Sequence, residues 1–215
     1  MRNYFVILEK EQSHSIMKLP DSQEQIIKIM ESWREINKSM RELYEKLQGL
    51  FPLGELTEQR PNLAFITVPR EHLRSVLVHL RDREGFGHLV LLTAVDWLEE
   101  DIFQLTYLLC DREGRRDIGL RVMLPRDGAS MESIHDIWPT AATYQRELRE
   151  MFGIDFPDSP GVNDEFILEG WIDIPPYRRD FDTLKFSEEN FGQRPGRETR
   201  DPARHMEEQL YPDKA

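Results

Sequence analysis

One cysteine, Cys110, serves the whole 215-residue chain. Iron–sulfur clusters and structural zinc sites need several thiolates or a Cys/His set at fixed spacing, so this chain is expected to hold neither by itself. In the apolar run Leu108-Leu109-Cys110 the thiol reads as a small buried hydrophobe, and a reducing, cytoplasmic setting is consistent with it. The histidines, His14, His72, His79, His88, His135 and His205, form no His-Glu-x-x-His pair, and metal ligation is not expected. Basic residues are outnumbered, 28 against 40 acidic, for a formal charge of −12. That balance argues against a nucleic-acid partner, because a phosphate backbone rewards clustered Lys and Arg. No apolar run approaches the ~20 residues that span a bilayer. Met1-Arg2-Asn3-Tyr4-Phe5 shows no signal-peptide pattern, so membrane association is expected to come through other proteins. The glycine-rich phosphate loops and the Gly-x-Ser-x-Gly elbow are also missing. The carboxylate run from Asp96 to Asp101 sits beside a turn and reads as solvated rather than catalytic.

What is present is enough apolar residue, 39%, to bury a core. Tyr4–Leu8 is a short strand candidate. Asp21 with Glu24 fits a capping box, and Ile26, Met30, Trp33, Met40, Tyr44 and Leu47 then recur at helical steps, interrupted by Asn37. A helix of about eight turns follows, whose apolar face suits either its own domain or a neighbouring protein. Pro52 and Gly54 break the chain. Leu63–Val68 reads as a buried strand, and Pro69 starts a helix with Leu73, Val76, Leu77 and Leu80 on one face. His88–Val95 is a largely apolar strand, expected inside a sheet. Alternation over Phe103–Leu109 and Ile118–Leu124, around the turn Asp111-Arg112-Glu113-Gly114, predicts an antiparallel hairpin. The fold class expected is α+β, a small mixed or antiparallel sheet with packed helices, a long N-terminal helix and an extended C-terminal arm. The predicted divisions are residues 1–50, 51–181 and 182–215. The last is too polar to form its own core, but Phe186, Phe191, Met206, Leu210 and Tyr211 could anchor it on a partner.

Two charged motifs stand out. In the first, Trp138-Pro139 and Phe152-Gly153 frame a helix carrying Gln145, Arg146, Glu147, Arg149 and Glu150. Proline suits a first helical turn and glycine the residue just past the end, so the spacing predicts a helix from about Pro139 to Phe152. Arg146 and Glu150 lie four apart, the spacing of a solvated helix pair. The second motif is Pro175-Pro176-Tyr177-Arg178-Arg179-Asp180-Phe181, extended because each proline biases its predecessor away from helix.

With Leu92-Thr93-Ala94-Val95-Asp96-Trp97 and the hairpin, these motifs resemble the family of the C subunit of NADH:quinone oxidoreductase, the thirty-kilodalton subunit of respiratory complex I. Relatives of that family also occur in membrane-bound energy-converting hydrogenases. The likeness covers roughly Phe51 to Phe181. Gln145 departs from the family's usual Glu, Glu150 stands where Asp is common, and Pro157-Asp158-Ser159-Pro160-Gly161 replaces a usual Gly-His-Pro turn. The tail Phe191–Glu198 is similar to the hydrogenase-type branch. The resemblance implies a non-catalytic member of the hydrophilic arm, without a cofactor of its own. It would pack against a large catalytic subunit of quinone-site or nickel–iron type, beside a small iron–sulfur subunit, and reach the membrane arm indirectly. The complex would lie on the cytoplasmic side of the membrane and couple electron transfer to ion translocation. The resemblance also implies that Arg146, Glu147, Glu150, Arg178, Arg179 and Asp180 enter a charge network at the subunit interface, with Trp138 and Phe152 fixing the helix ends. Two other readings are open to the sequence: a free-standing adaptor that uses the Asp21–Leu50 helix, and an acid/base enzyme built near Asp96 or Asp180.

Overall fold

The computed structural model describes residues 40–191, together with Lys28 and Glu31. The strand candidate Tyr4–Leu8, most of the long N-terminal helix and the arm beyond Phe191 lie outside the described residues. Residues 40–48 are helical and bury Met40, Leu43 and Leu47. The chain then forms β1 (Leu56–Arg60), β2 (Leu63–Thr67), α1 (Leu73–Arg83), β3 (His88–Trp97), β4 (Ile102–Asp111), β5 (Arg116–Pro125), α2 (Ala141–Phe152) and α3 (Thr183–Phe191). The strands make one mixed sheet in the order β1-β2-β5-β4-β3. β1 runs antiparallel to β2, and β2 parallel to β5 with Phe65 opposite Gly119. The connections Leu98–Asp101 and Arg112–Arg115 are too short for a parallel crossover, so β3, β4 and β5 form a meander.

The chain divides into two compact units. One runs up to Val90 and includes Leu108–Arg121; the other comprises Leu91–Tyr107 and the chain from Val122 onward. In the first, α1 buries the four residues expected of it, Leu73, Val76, Leu77 and Leu80. A 3-10 turn at Arg70–His72 precedes it, so Pro69 opens that turn rather than the helix itself. Asp111 holds the hairpin turn by accepting from the Gly114 N–H at 2.9 Å and from Arg116, which also donates to the Glu84 carbonyl. In the second unit the buried residues include Phe103, Leu105, Tyr107, Leu148, Met151 and Phe156.

Two strands depart from expectation. β1, Leu-Thr-Glu-Gln-Arg, has no apolar alternation, and its pairing with β2 alone makes it a strand. β3 is an edge strand, not an interior one. Its Leu89, Leu92, Ala94 and Asp96 are buried, while Val95 and Trp97 stay exposed. The continuous apolar run therefore does not mean burial on both faces, which is what such a run usually implies.

β5 contains a glycine whose reason is local. A Cβ on Gly119 would fall 2.2 Å from Cδ1 of Phe65, whose ring lies across it and carries the Arg121 guanidinium 4.2 Å from its centroid. Gly119→Val is expected to displace that ring and destabilise the chain by about 1–3 kcal/mol, read from urea unfolding monitored by circular dichroism.

Candidate functional site

The charged helix α2 begins at Ala141, two residues later than Pro139 suggested. The Ala141 N–H bonds the Trp138 carbonyl and the Ala142 N–H the Pro139 carbonyl, a tight i→i−3 turn before the α-helix starts. Its end is as expected. Gly153 takes φ +78°, with its N–H on the Arg149 carbonyl, the 5→1 bond of an αL closure, and the Ile154 N–H reaches the Leu148 carbonyl. Trp138 and Phe152 are buried in the chain's own core. The Phe152 ring stacks edge-on with Phe103 at 6.0 Å and with Tyr177 at 5.7 Å.

The charged residues of α2 divide by task. Glu150 accepts the backbone N–H groups of Phe166, Ile167 and Leu168 at 2.6, 2.9 and 3.1 Å, so it organises a loop instead of pairing across the helix with Arg146. Arg146 lays its guanidinium over the Phe166 ring, 5.3 Å from the centroid. Glu147 is half-buried and Arg149 lies 3.8 Å from Asp155. Gln145 is fully buried and accepts hydroxyl hydrogens from Ser133 at 2.8 Å and Ser159 at 2.7 Å. The neutral amide at that position thus faces the interior.

The second motif closes a charged clasp. Asp96, at the end of β3, is 4% exposed. Arg126 donates to its Oδ2 at 3.1 Å, and Nε of Arg126 lies 2.8 Å from Oδ1 as an ion pair too bent to be a hydrogen bond. The same Asp96 Oδ2 accepts the Arg179 backbone N–H at 2.8 Å. Asp180 receives Arg178 through two bonds, at 3.1 and 3.0 Å, and lies 3.0 Å from Arg126. The Arg179 side chain reaches outward to the exposed Glu99, 2.6 Å away. Below the clasp, the Phe103 ring lies under Arg126 at 5.6 Å and Arg178 at 6.0 Å. Farther back, the Tyr177 N–H bonds the Met151 carbonyl at 3.0 Å. Contrary to the expectation from its prolines, the Pro175–Phe181 segment is not extended but makes two successive turns, with the Arg178 N–H on the Pro175 carbonyl and the Phe181 N–H on that of Arg178. It is fastened both to the end of α2 and to the end of β3.

Electrostatics follow from this geometry. Burial opposes the Arg126 charge, but the hydrogen bond and charge of Asp96, with Asp180 behind them, outweigh it and raise its pKa. The Arg178 hydrogen bond holds the Asp180 carboxyl below its ordinary value against partial burial, and the charges of Arg178 and Arg126 add to it. An ionised, doubly paired carboxylate is poorly poised for proton transfer near neutral pH, which weakens the acid/base reading at Asp180. A cleft of about 520 Å³ lies beside the clasp, with Arg126, Arg149 and Arg178 facing Asp101, Asp127 and Asp155 in its walls. That balance selects no ion of either sign. Among the described residues no group of three or more His, Cys, Asp or Glu could hold a metal ion, and no helix is long and apolar enough to cross a membrane.

Arg126 is missed by motif reading, and Asp96, although part of the family-like Leu92–Trp97 stretch, is missed as a buried partner. In the sequence Asp96 belongs to a run expected to be solvated, yet it is interior. The signal is period two: Leu92, Ala94 and Asp96 alternate onto the buried face of β3. Arg126 has no such signal, following Pro125 in what reads as a turn.

By fold and site the protein is an α+β sheet domain whose two charged motifs are fastened within the chain itself. The profile of the family described as respiratory-chain NADH dehydrogenase, 30 Kd subunit, matches residues 66–187, and the chain belongs to that family. It is 30% identical over 142 residues to the C subunit of NADH-quinone oxidoreductase from Moorella thermoacetica, covering 66% of this chain and 95% of the relative. With the C subunit of F(420)H(2) dehydrogenase from Methanosarcina mazei it shares 26% identity over 144 residues, 66% of this chain and 91% of that one. The C/D subunit of NADH-quinone oxidoreductase from Acidiphilium cryptum is 33% identical over 141 residues, which are 61% of this chain but 23% of the relative. Among solved structures, a chain of the membrane-bound sulfane sulfur reductase, an archaeal respiratory membrane complex, has the same fold. Its TM-score is 0.64 at 24% identity, with 77% of this chain and 97% of that one covered.

Removing Asp96 would take from Arg126 its buried partner and leave it only Asp180, so Asp96→Ala is expected to destabilise the chain by about 3 kcal/mol in denaturant unfolding. The pH dependence has a defined sign. Asp180 has a lowered folded pKa, so its contribution is present above the ordinary carboxylate value of 3.8 and is lost as pH falls through the folded value. Asp180→Asn should therefore flatten the loss of melting temperature below about pH 4.

Proposed function

We propose that this chain is a hydrophilic-arm subunit of a complex I-like, membrane-bound oxidoreductase, where it scaffolds a large catalytic subunit. Membership of the thirty-kilodalton family supports the general role. The observation that carries the choice of partner is the fused relative: its name joins C to D, and the part similar to this chain is 23% of it. Covalent fusion keeps two domains at high effective concentration and suits partners that bind each other anyway. The partner is accordingly a D-like large subunit, of quinone-site or nickel–iron type, with a small iron–sulfur subunit beside it.

In this reading the chain contributes no redox centre. Iron–sulfur clusters, and quinone or nickel–iron chemistry, belong to its partners, and the lone Cys110 agrees with that division. Electrons pass from a donor such as NADH or ferredoxin to quinone, protons or a similar acceptor, and the assembly couples that flow to ion translocation. The chain sits on the cytoplasmic face, peripheral to the membrane through its partners. The charged set Arg146, Glu147, Glu150, Arg178, Arg179 and Asp180 serves assembly by ordering the segment presented to the large subunit. Of these, Arg179 reaches outermost.

The test is affinity purification of the native complex in mild detergent through a tag on this chain, with mass spectrometry and a metal assay. The expected recovery is a D-like large subunit, iron–sulfur proteins and antiporter-like membrane subunits, with nickel content deciding the type of large subunit. Recovery of the chain alone, monodisperse and without iron, would overturn the proposal.

A further inference from the structure

Most charges of the two motifs are satisfied within the chain, whereas several large apolar side chains nearby are not covered. Ile172 is 95% exposed, Tyr177 58%, Ile174 46% and Trp97 41%, with Leu98 beside it. They come from two stretches of chain about 80 residues apart, and the clasp joins those stretches. Asp96 precedes Trp97 by one residue and binds the backbone N–H of Arg179, two residues after Tyr177. At ~3.8 Å per residue step, Trp97 and Tyr177 fall well inside the footprint of about 800 Å² that a standard interface occupies on each partner. The exposed pair Arg179–Glu99 adds a second tie between the two stretches, two residues beyond Trp97 and two beyond Tyr177. Large apolar and aromatic anchors with a charged border have the anatomy of a docking surface, while isolated exposed apolar residues do not.

We infer that the rim carrying Trp97, Leu98, Ile172, Ile174 and Tyr177 is the surface on which this chain binds its large subunit, through an apolar face of that subunit. The inference rests on the proposed function and adds its chemistry: the anchors are apolar, and the charged motifs act behind them by holding the two stretches together. The occupant is the D-like chain because, in the C/D relative, that chain is the one tethered to this domain. The rim is also part of the matched region, residues 66–187.

Two substitutions at exposed positions, Ile172→Asp and Trp97→Asp, test it in the native complex with the tagged full chain. Each variant should keep the far-ultraviolet spectrum and melting temperature of the unmodified chain, while the co-purified large subunit falls roughly tenfold or more. Hydroxyl-radical footprinting of the unmodified complex supplies a second reading that depends on no variant. Trp97 and Tyr177 should be protected in the complex and reactive in the isolated chain. Wild-type recovery of the large subunit by both variants, or full reactivity of both side chains in the complex, overturns the surface assignment and leaves the scaffold role standing. Failure of the unmodified chain to recover any large subunit overturns the scaffold role itself.

Discussion

A carboxylate taken out of water needs cations and donors around it, and Asp96 is where this requirement shapes the second unit. It meets Arg126 along one edge, and its Oδ2, already shared with that guanidinium, also accepts the Arg179 N–H. Removing either the cation or the carboxylate would leave the other buried with a single remaining partner, Asp180 for Arg126 or the Arg179 N–H for Asp96, a larger loss than that of an exposed pair. The residues from Val162 to Phe181 have little regular structure to place them. Carboxylates do it instead. Asp96 holds residue 179, Glu150 gathers the amides of 166–168, and Glu165 accepts the Gly170 N–H at 2.9 Å. Each is a carboxyl side chain accepting from backbone donors, which ties the loop to a fixed point.

The same requirement separates two kinds of residue in the charged motifs. A guanidinium that bridges two carboxylates in the interior, as Arg126 does between Asp96 and Asp180, has little left to offer another protein. The neighbouring aromatic and aliphatic side chains have no such occupation. Trp171, Phe181 and Phe186 form a small ring cluster, with Trp171 and Phe186 5.0 Å apart, which gives α3 a seat. Ile172 and Tyr177 remain largely in water. Charge thus sets the course of the segment, and the apolar residues carried on it set what the segment can bind.

The sequence carried most of the regular structure. Helix α1 was legible from four apolar residues on one face, the β4–β5 hairpin from two alternating runs around Asp111–Gly114, and the end of α2 from Gly153, which takes positive φ. Less legible were the elements whose character depends on neighbours. β1 is polar along its length and exists by pairing with β2. β3 is apolar along its length and nevertheless lies at an edge. Within the candidate site, the motif residues were found but their partners were not: the family-like pattern marks Arg178, Arg179 and Asp180, while Asp96 and Arg126, more than 50 residues earlier in the chain, carry no local sign of meeting them.

The sequence by itself determined the class of fold, the end of the charged helix and the family, because each rests on local periodicity, on capping chemistry or on a motif contiguous in the chain. Tertiary structure alone decided which carboxylates are buried, which strand closes the sheet and which apolar residues remain in water. Those outcomes depend on pairs of residues far apart in the chain and on the free energy of desolvating a charge, neither of which is written in any single segment.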